Sequence, residues 1–80
     1  MDTVEECLLW LGTVHNGVVR CFSKDGGRYV RVAVEDEAQN VLICATREVI
    51  TDTASTIVEA ANAARSEYSA QTRRSTLKAV

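Results

Sequence analysis

Eighty residues, 46% of them hydrophobic and 25% charged, make one globular domain and exclude wholesale disorder, because enough apolar surface is present to offset chain entropy. A net charge of −2 and a pI near 5.3 argue against a general nucleic-acid binder, which needs a dense basic surface, and 11 carboxylate residues are too few for a DNA mimic. A core this small contributes roughly 3–5 kcal/mol, so either the chain keeps a loose tail around a tight core or a second copy helps to bury apolar surface.

The predicted elements begin with a short helix. Val4, Cys7, Leu8 and Leu11 recur at i, i+3, i+4 and i+7, one face of a 3.6-residue repeat. Thr3 and Glu6 have capping-box spacing, Glu5 and Glu6 suit the positive end of the helix dipole, and Gly12 is a natural stop. Leu9 and Trp10 lie off this stripe; they either widen the buried face or form a surface for self-association. A competing reading makes Leu8–Val14 a strand that turns at Asn16-Gly17 into Val18.

The middle of the chain reads as a three-stranded antiparallel meander. Val18–Ser23 is β-prone, and Asp25-Gly26-Gly27 supplies the positive-φ positions of a hairpin turn. Arg28–Glu35 then alternates strictly, with Val30, Val32 and Val34 on one face and Tyr29, Arg31, Ala33 and Glu35 on the other. Residues 35–40 are a polar connection, and Val41–Arg47 is the third strand.

A second helix follows, capped by Asp52 or Thr53. Ala54, Ile57, Ala61, Ala64 and Tyr68 form the stripe expected to lie on the valine face. From Ser69 the pattern dissolves, and Arg73, Arg74 and Lys78 make this end basic, which predicts a frayed helix end or tail over 69–80. The expected fold is therefore α+β: a short N-terminal helix, a three-stranded meander and a C-terminal helix packed on the sheet. It forms a single domain ordered over residues 3–68.

Catalytic chemistry finds little footing. His15 is the sole histidine, and no local signature joins it to a nucleophile. Cys7, Cys21 and Cys44 contain no CxxC pair, so zinc has no close ligand pairs, and reduced, buried thiols are the plain reading. Asp25-Gly26-Gly27 lacks the glycine frame and Lys-Ser/Thr of a phosphate loop. The expectation is a protein that is not an enzyme and takes no metal or cofactor. The N-terminal acids Asp2, Glu5 and Glu6 are unlike a signal peptide, and no apolar run could span a bilayer, which points to the cytoplasm and away from membranes.

Two surfaces could bind a partner. On the outer sheet face, Tyr29 and Arg31, with Arg20 and Arg47 nearby, could stack and pair with single-stranded nucleic acid. The plainer reading is a solvated face with charge pairs such as Arg31 with Glu48. Glu35-Asp36-Glu37 is either a soluble turn or an acidic prong that docks on a basic groove. Trp10 is an interface anchor or simply core.

Taken together, the layout from Gly27-Arg28-Tyr29-Val30-Arg31-Val32 through the carboxylate turn to Val41-Leu42-Ile43, and on into the Ala-rich helix, resembles small phage-encoded anti-CRISPR proteins of type I systems. The likeness covers residues 18–68 and rests on layout and composition. It implies a non-enzymatic inhibitor in the host cytoplasm that binds a Cascade subunit and keeps target DNA out of a basic channel, with Glu35, Asp36 and Glu37 meeting lysines and arginines that otherwise hold phosphates. No direct nucleic-acid contact is implied. A homodimer is a separate expectation, from the small core, the spare apolar residues Leu9 and Trp10, and the odd number of cysteines. The competing expectations are a small nucleic-acid-binding protein that uses Arg20, Tyr29, Arg31 and the basic tail, and an antitoxin-like module that masks a toxin.

Overall fold

The computed structural model describes residues 1–14, 16–38 and 41–78. Helix α1 (Val4–Leu11) leads into strands β1 (Asn16–Lys24), β2 (Gly27–Asp36) and β3 (Val41–Glu48), and helix α2 (Thr53–Lys78) closes the chain. The strands form one antiparallel sheet in the order β1-β2-β3. The fold is α+β, as the patterning indicates.

Local chemistry explains each boundary. The Thr3 hydroxyl accepts from the Glu6 amide at 3.1 Å, while the Glu6 carboxylate accepts from the Asp2 amide at 3.2 Å, so the capping box forms, with its return bond one residue early. Asp25 (φ 52°) and Gly26 (φ 81°) make a two-residue turn between the paired residues Lys24 and Gly27. Positive φ at both central positions is the hairpin turn that matches strand twist. Asp52 caps α2 through the Ser55 amide at 2.7 Å and the Ser55 hydroxyl at 2.9 Å.

These bonds hold the Glu6 and Asp52 carboxyls below their ordinary ranges, chiefly because backbone amides donate to the ionised forms. A depressed folded-state pKa stabilises above the unfolded value and is lost as pH falls through the folded one. Acid titration followed by circular dichroism is expected to show stability falling below about pH 4. In Asp52→Ala the acid-dependent loss is expected to be smaller and the starting midpoint lower.

Both helices lie on one face of the sheet. Helix α2 packs across β2 and β3, while α1 sits against α2 and β1. Val30, Val32 and Val34 are fully buried beneath Ala60, Ala61 and Ala64, with Val41, Ile43 and Ala45 completing the strand side. Cys7 and Leu11 of α1 join the same cluster. The small alanine side chains let α2 come close to the β-branched strand surface. Of the expected stripe, Ala61 and Ala64 face the core, Ile57 and Tyr68 are half-buried and Ala54 is exposed. Thr56 and Ala60 join Ala61 and Ala64 in the buried face, which widens the stripe to one side, while Ile57 and Tyr68 pack at its edge.

The competing strand reading of Leu8–Val14 falls, and the expected burial changes for two of the three cysteines. Asn16 and Gly17 do not turn; they pair with Glu35 and Val34 inside β1, and α1 occupies the preceding segment. Helix α2 runs to Lys78, ten residues past the point where its apolar pattern fades. Cys21 and Cys44 are exposed and Cys7 alone is buried. Cys44 points to the uncovered face, and α2 does not reach over Cys21 on the edge strand. Burial raises the Cys7 thiol pKa. A disulfide reagent is expected to titrate two thiols at once in the native protein and the third only on unfolding; three fast thiols would contradict this arrangement.

Candidate functional site

Period-two pairing sorts the strand residues into a covered face and an open one. Rungs of the open face follow from the register: Phe22, Tyr29 and Glu48; Arg20, Arg31 and Thr46; Val18, Ala33 and Cys44; Asn16, Glu35 and Leu42. No helix covers this side. Val18 is 50% exposed and Leu42 74% exposed, so the lower two rungs present apolar surface to solvent.

The upper two rungs hold a stack. Phe22 and Tyr29 lie 5.5 Å apart between centroids with planes at 20°, and the Arg31 guanidinium sits 5.7 Å from the Phe22 centroid. Gly27 makes room for the phenol, since a β-carbon there would come within 3.1 Å of the Tyr29 hydroxyl. Arg31 also donates to the Thr46 hydroxyl at 3.4 Å, and the expected cross-strand partner Glu48 lies opposite Tyr29 instead. Arg20 stands directly opposite Arg31, a like-charge pairing that destabilises a sheet unless something anionic relieves it.

Base stacking needs a free aromatic face. Phe22 has Tyr29 on one side and Arg31 approaching its ring. Arg47 is on the opposite face, half-buried, and pairs with Glu59 of α2 at 3.7 Å. Arg73 lies on α2, away from this face, and is exposed.

The three-carboxylate prong is not what forms. Asp36 continues the inward alternation of Val30, Val32 and Val34, pairs with Val41 and is 8% exposed. Its carboxylate accepts a 2.7 Å hydrogen bond from the Tyr68 hydroxyl of α2. Glu35 and Glu37 remain exposed. A strand alternation carried one residue further, past Glu35, is the sequence signal that places Asp36 inside. Phe22 was likewise legible: a two-residue turn at Asp25-Gly26 puts it opposite Tyr29.

The Tyr68 phenol titrates above its ordinary range, first because it donates to Asp36 and second because it is partly desolvated. A raised folded-state pKa stabilises below the unfolded value and is lost as pH rises through the folded one. Alkaline difference spectra of the protein against Tyr68→Phe are expected to place this phenol above pH 10. Asp36→Asn is expected to bring it down; an unchanged midpoint would mean that the bond does not govern it.

Trp10 is half-buried and meets Tyr68 edge-on, with centroids 6.2 Å apart, so it fastens α1 to α2. Leu9 beside it is 67% exposed. His15 lies outside the described residues. Among the described residues, no group of three or more His, Cys, Asp or Glu could hold a metal ion, and no helix is long and apolar enough to cross a membrane. No protein-family model, curated protein or solved structure matches the chain.

Proposed function

We propose that this chain is a non-catalytic protein-binding module that docks through the open face of its sheet. One observation carries the reading: Val18, Ala33, Cys44 and Leu42 form an uncovered apolar field, bordered by the Phe22–Tyr29–Arg31 stack and by Arg20, Glu35 and Glu48. Apolar and aromatic residues with arginine at the centre and charge at the rim are the composition of contact surfaces. In its narrower form the module inhibits a type I CRISPR surveillance complex in the host cytoplasm. The likeness in size and layout to anti-CRISPR proteins supports that form. Its charged contacts are then Glu35 and Glu37, with Asp36 occupied in the core.

The test is phage plating on a strain with an active type I system that expresses the chain. The wild-type chain is expected to restore plating by about tenfold or more. Leu42→Asp is expected to abolish the effect with an unchanged circular dichroism spectrum, because the side chain is exposed. A folded Leu42→Asp protein that inhibits like wild type would refute the open-face reading. A wild-type chain without effect would remove the CRISPR form. The broader reading is then judged by whether Leu42→Asp abolishes whatever partner capture the wild-type chain shows.

A further inference from the structure

We infer that the open face pairs with the same face of a second copy, in an antiparallel two-fold arrangement centred on Ala33. The inference rests on the reading of this face as a contact surface and names its occupant. The face is self-complementary in charge when turned about an axis that crosses the strands through the Val18, Ala33 and Cys44 rung. A two-fold contact requires such self-complementarity, since the same patch serves both copies.

Charge decides the orientation. On β2, Arg31 lies two residues before Ala33 and Glu35 two residues after it, both on the open face. Turning one sheet antiparallel over the other sets Arg31 of each copy above Glu35 of the other, giving two symmetric ion pairs. The same turn stacks Val18 on Val18, Ala33 on Ala33 and Cys44 on Cys44. A parallel stacking about an axis along β2 would instead set Arg31 on Arg31 and Glu35 on Glu35, which is repulsive. The antiparallel arrangement also brings a carboxylate to the Arg20–Arg31 pairing that the lone chain leaves opposed.

Distance permits it. Packed sheets lie about 10 Å apart with strands within about 30° of alignment, a gap that arginine and glutamate side chains span together once Arg31 swings off Phe22 and Thr46 toward the other copy. The small Ala33 at the axis suits that spacing. Within one chain Arg31 and Glu35 are four strand residues apart, about 13 Å, so they do not pair with each other.

Area sets the strength. Three strands of about eight residues offer a face of about 14 by 26 Å. That falls short of the roughly 800 Å² per partner in a standard stable interface. The dimer is therefore weak and concentration-dependent, and can give way to another protein on the same face.

Sedimentation equilibrium of the full chain over a hundredfold or so in concentration tests this. Wild type is expected to move from monomer toward dimer. Arg31→Glu alone and Glu35→Arg alone are each expected to weaken association by about tenfold or more. The double exchange Arg31→Glu/Glu35→Arg is expected to restore it, an outcome that damage to the fold cannot mimic. Cross-linking of Cys44 to Cys44 by a bis-maleimide of matching span, in a Cys21→Ser background, is expected to follow the same order. Wild type that stays monomeric throughout, single exchanges without effect, or a double exchange that fails to recover would each overturn the proposal. A strict monomer whose phage inhibition is still lost in Leu42→Asp would sink the dimer and leave the binding module standing.

Discussion

Ala61→Leu is expected to lower the thermal midpoint by roughly 5–20 °C, a loss of about 1–3 kcal/mol. Ala61 has no exposed surface and lies where α2 presses on the sheet beneath which Val30, Val32 and Val34 are also fully buried. The extra carbons find no space, so the helix must lift or the strand side chains must leave their rotamers. An 80-residue domain has about 4–12 kcal/mol of stability in total, so this loss is a large share of it. Ala54→Leu, a matching change on the same helix, is expected to shift the midpoint little, because Ala54 is exposed. Equal effects at the two positions would show that the helix is rotated from the orientation described.

Gly17→Ala is expected to cost about 1–3 kcal/mol and to loosen α1. A β-carbon at Gly17 would stand 2.7 Å from Leu11 Cδ2 and 2.9 Å from the Leu11 carbonyl oxygen, and the second contact is with backbone that cannot rotate aside. The strand passes under the end of the helix only because no side chain intervenes. Trp10 is the sole tryptophan and packs on Tyr68, so its emission is expected to shift to the red as α1 lifts. Gly12 makes the contrast: its φ is −70° and a β-carbon there would come no nearer than 3.4 Å to its closest neighbour, the Leu9 carbonyl oxygen. Gly12→Ala is expected to be neutral or to stabilise by up to about 1 kcal/mol, through a less mobile unfolded chain. Comparable losses at both glycines would mean that the close approach is not what Gly17 provides.

Much of the fold was legible in short-range pattern. The α1 helix, its Thr3 cap, the Asp25-Gly26 turn and the Val30–Val32–Val34 alternation depend on neighbours a few residues away, and the structure contains them, although of the α1 stripe only Cys7 and Leu11 are buried and Leu8 is 54% exposed. The candidate surface was legible only in part. Tyr29 and Arg31 fell on the outer face as their alternation requires, while Phe22 needed the hairpin register to place it opposite Tyr29. The Asn16-Gly17 pair illustrates a local signal overridden: it is a strong turn sequence, yet pairing with Glu35 and Val34 across nine ladder rungs outweighs it.

The carboxylate run shows the same limit in another form. Three consecutive acids read as one exposed tip, because solvation of charge is the default. Strand alternation splits them, and Tyr68, thirty-two residues further on, supplies the hydroxyl that makes the inward position of Asp36 tolerable. A partner so distant leaves no mark in the local sequence.

From the sequence alone came the element types, their order and the two faces of each strand, since periodicity and turn chemistry are properties of adjacent residues. Which sheet face is covered, which cysteines reach solvent, and that Asp36 turns inward while Leu42 and Val18 stay out were decided by tertiary packing. Both helices settle on the valine side because Val30, Val32 and Val34 with Val41, Ile43 and Ala45 offer the larger apolar surface, uninterrupted by charge along β2 as far as Asp36, for the alanines of α2 and for Cys7 and Leu11 of α1. The opposite face is left open as a consequence.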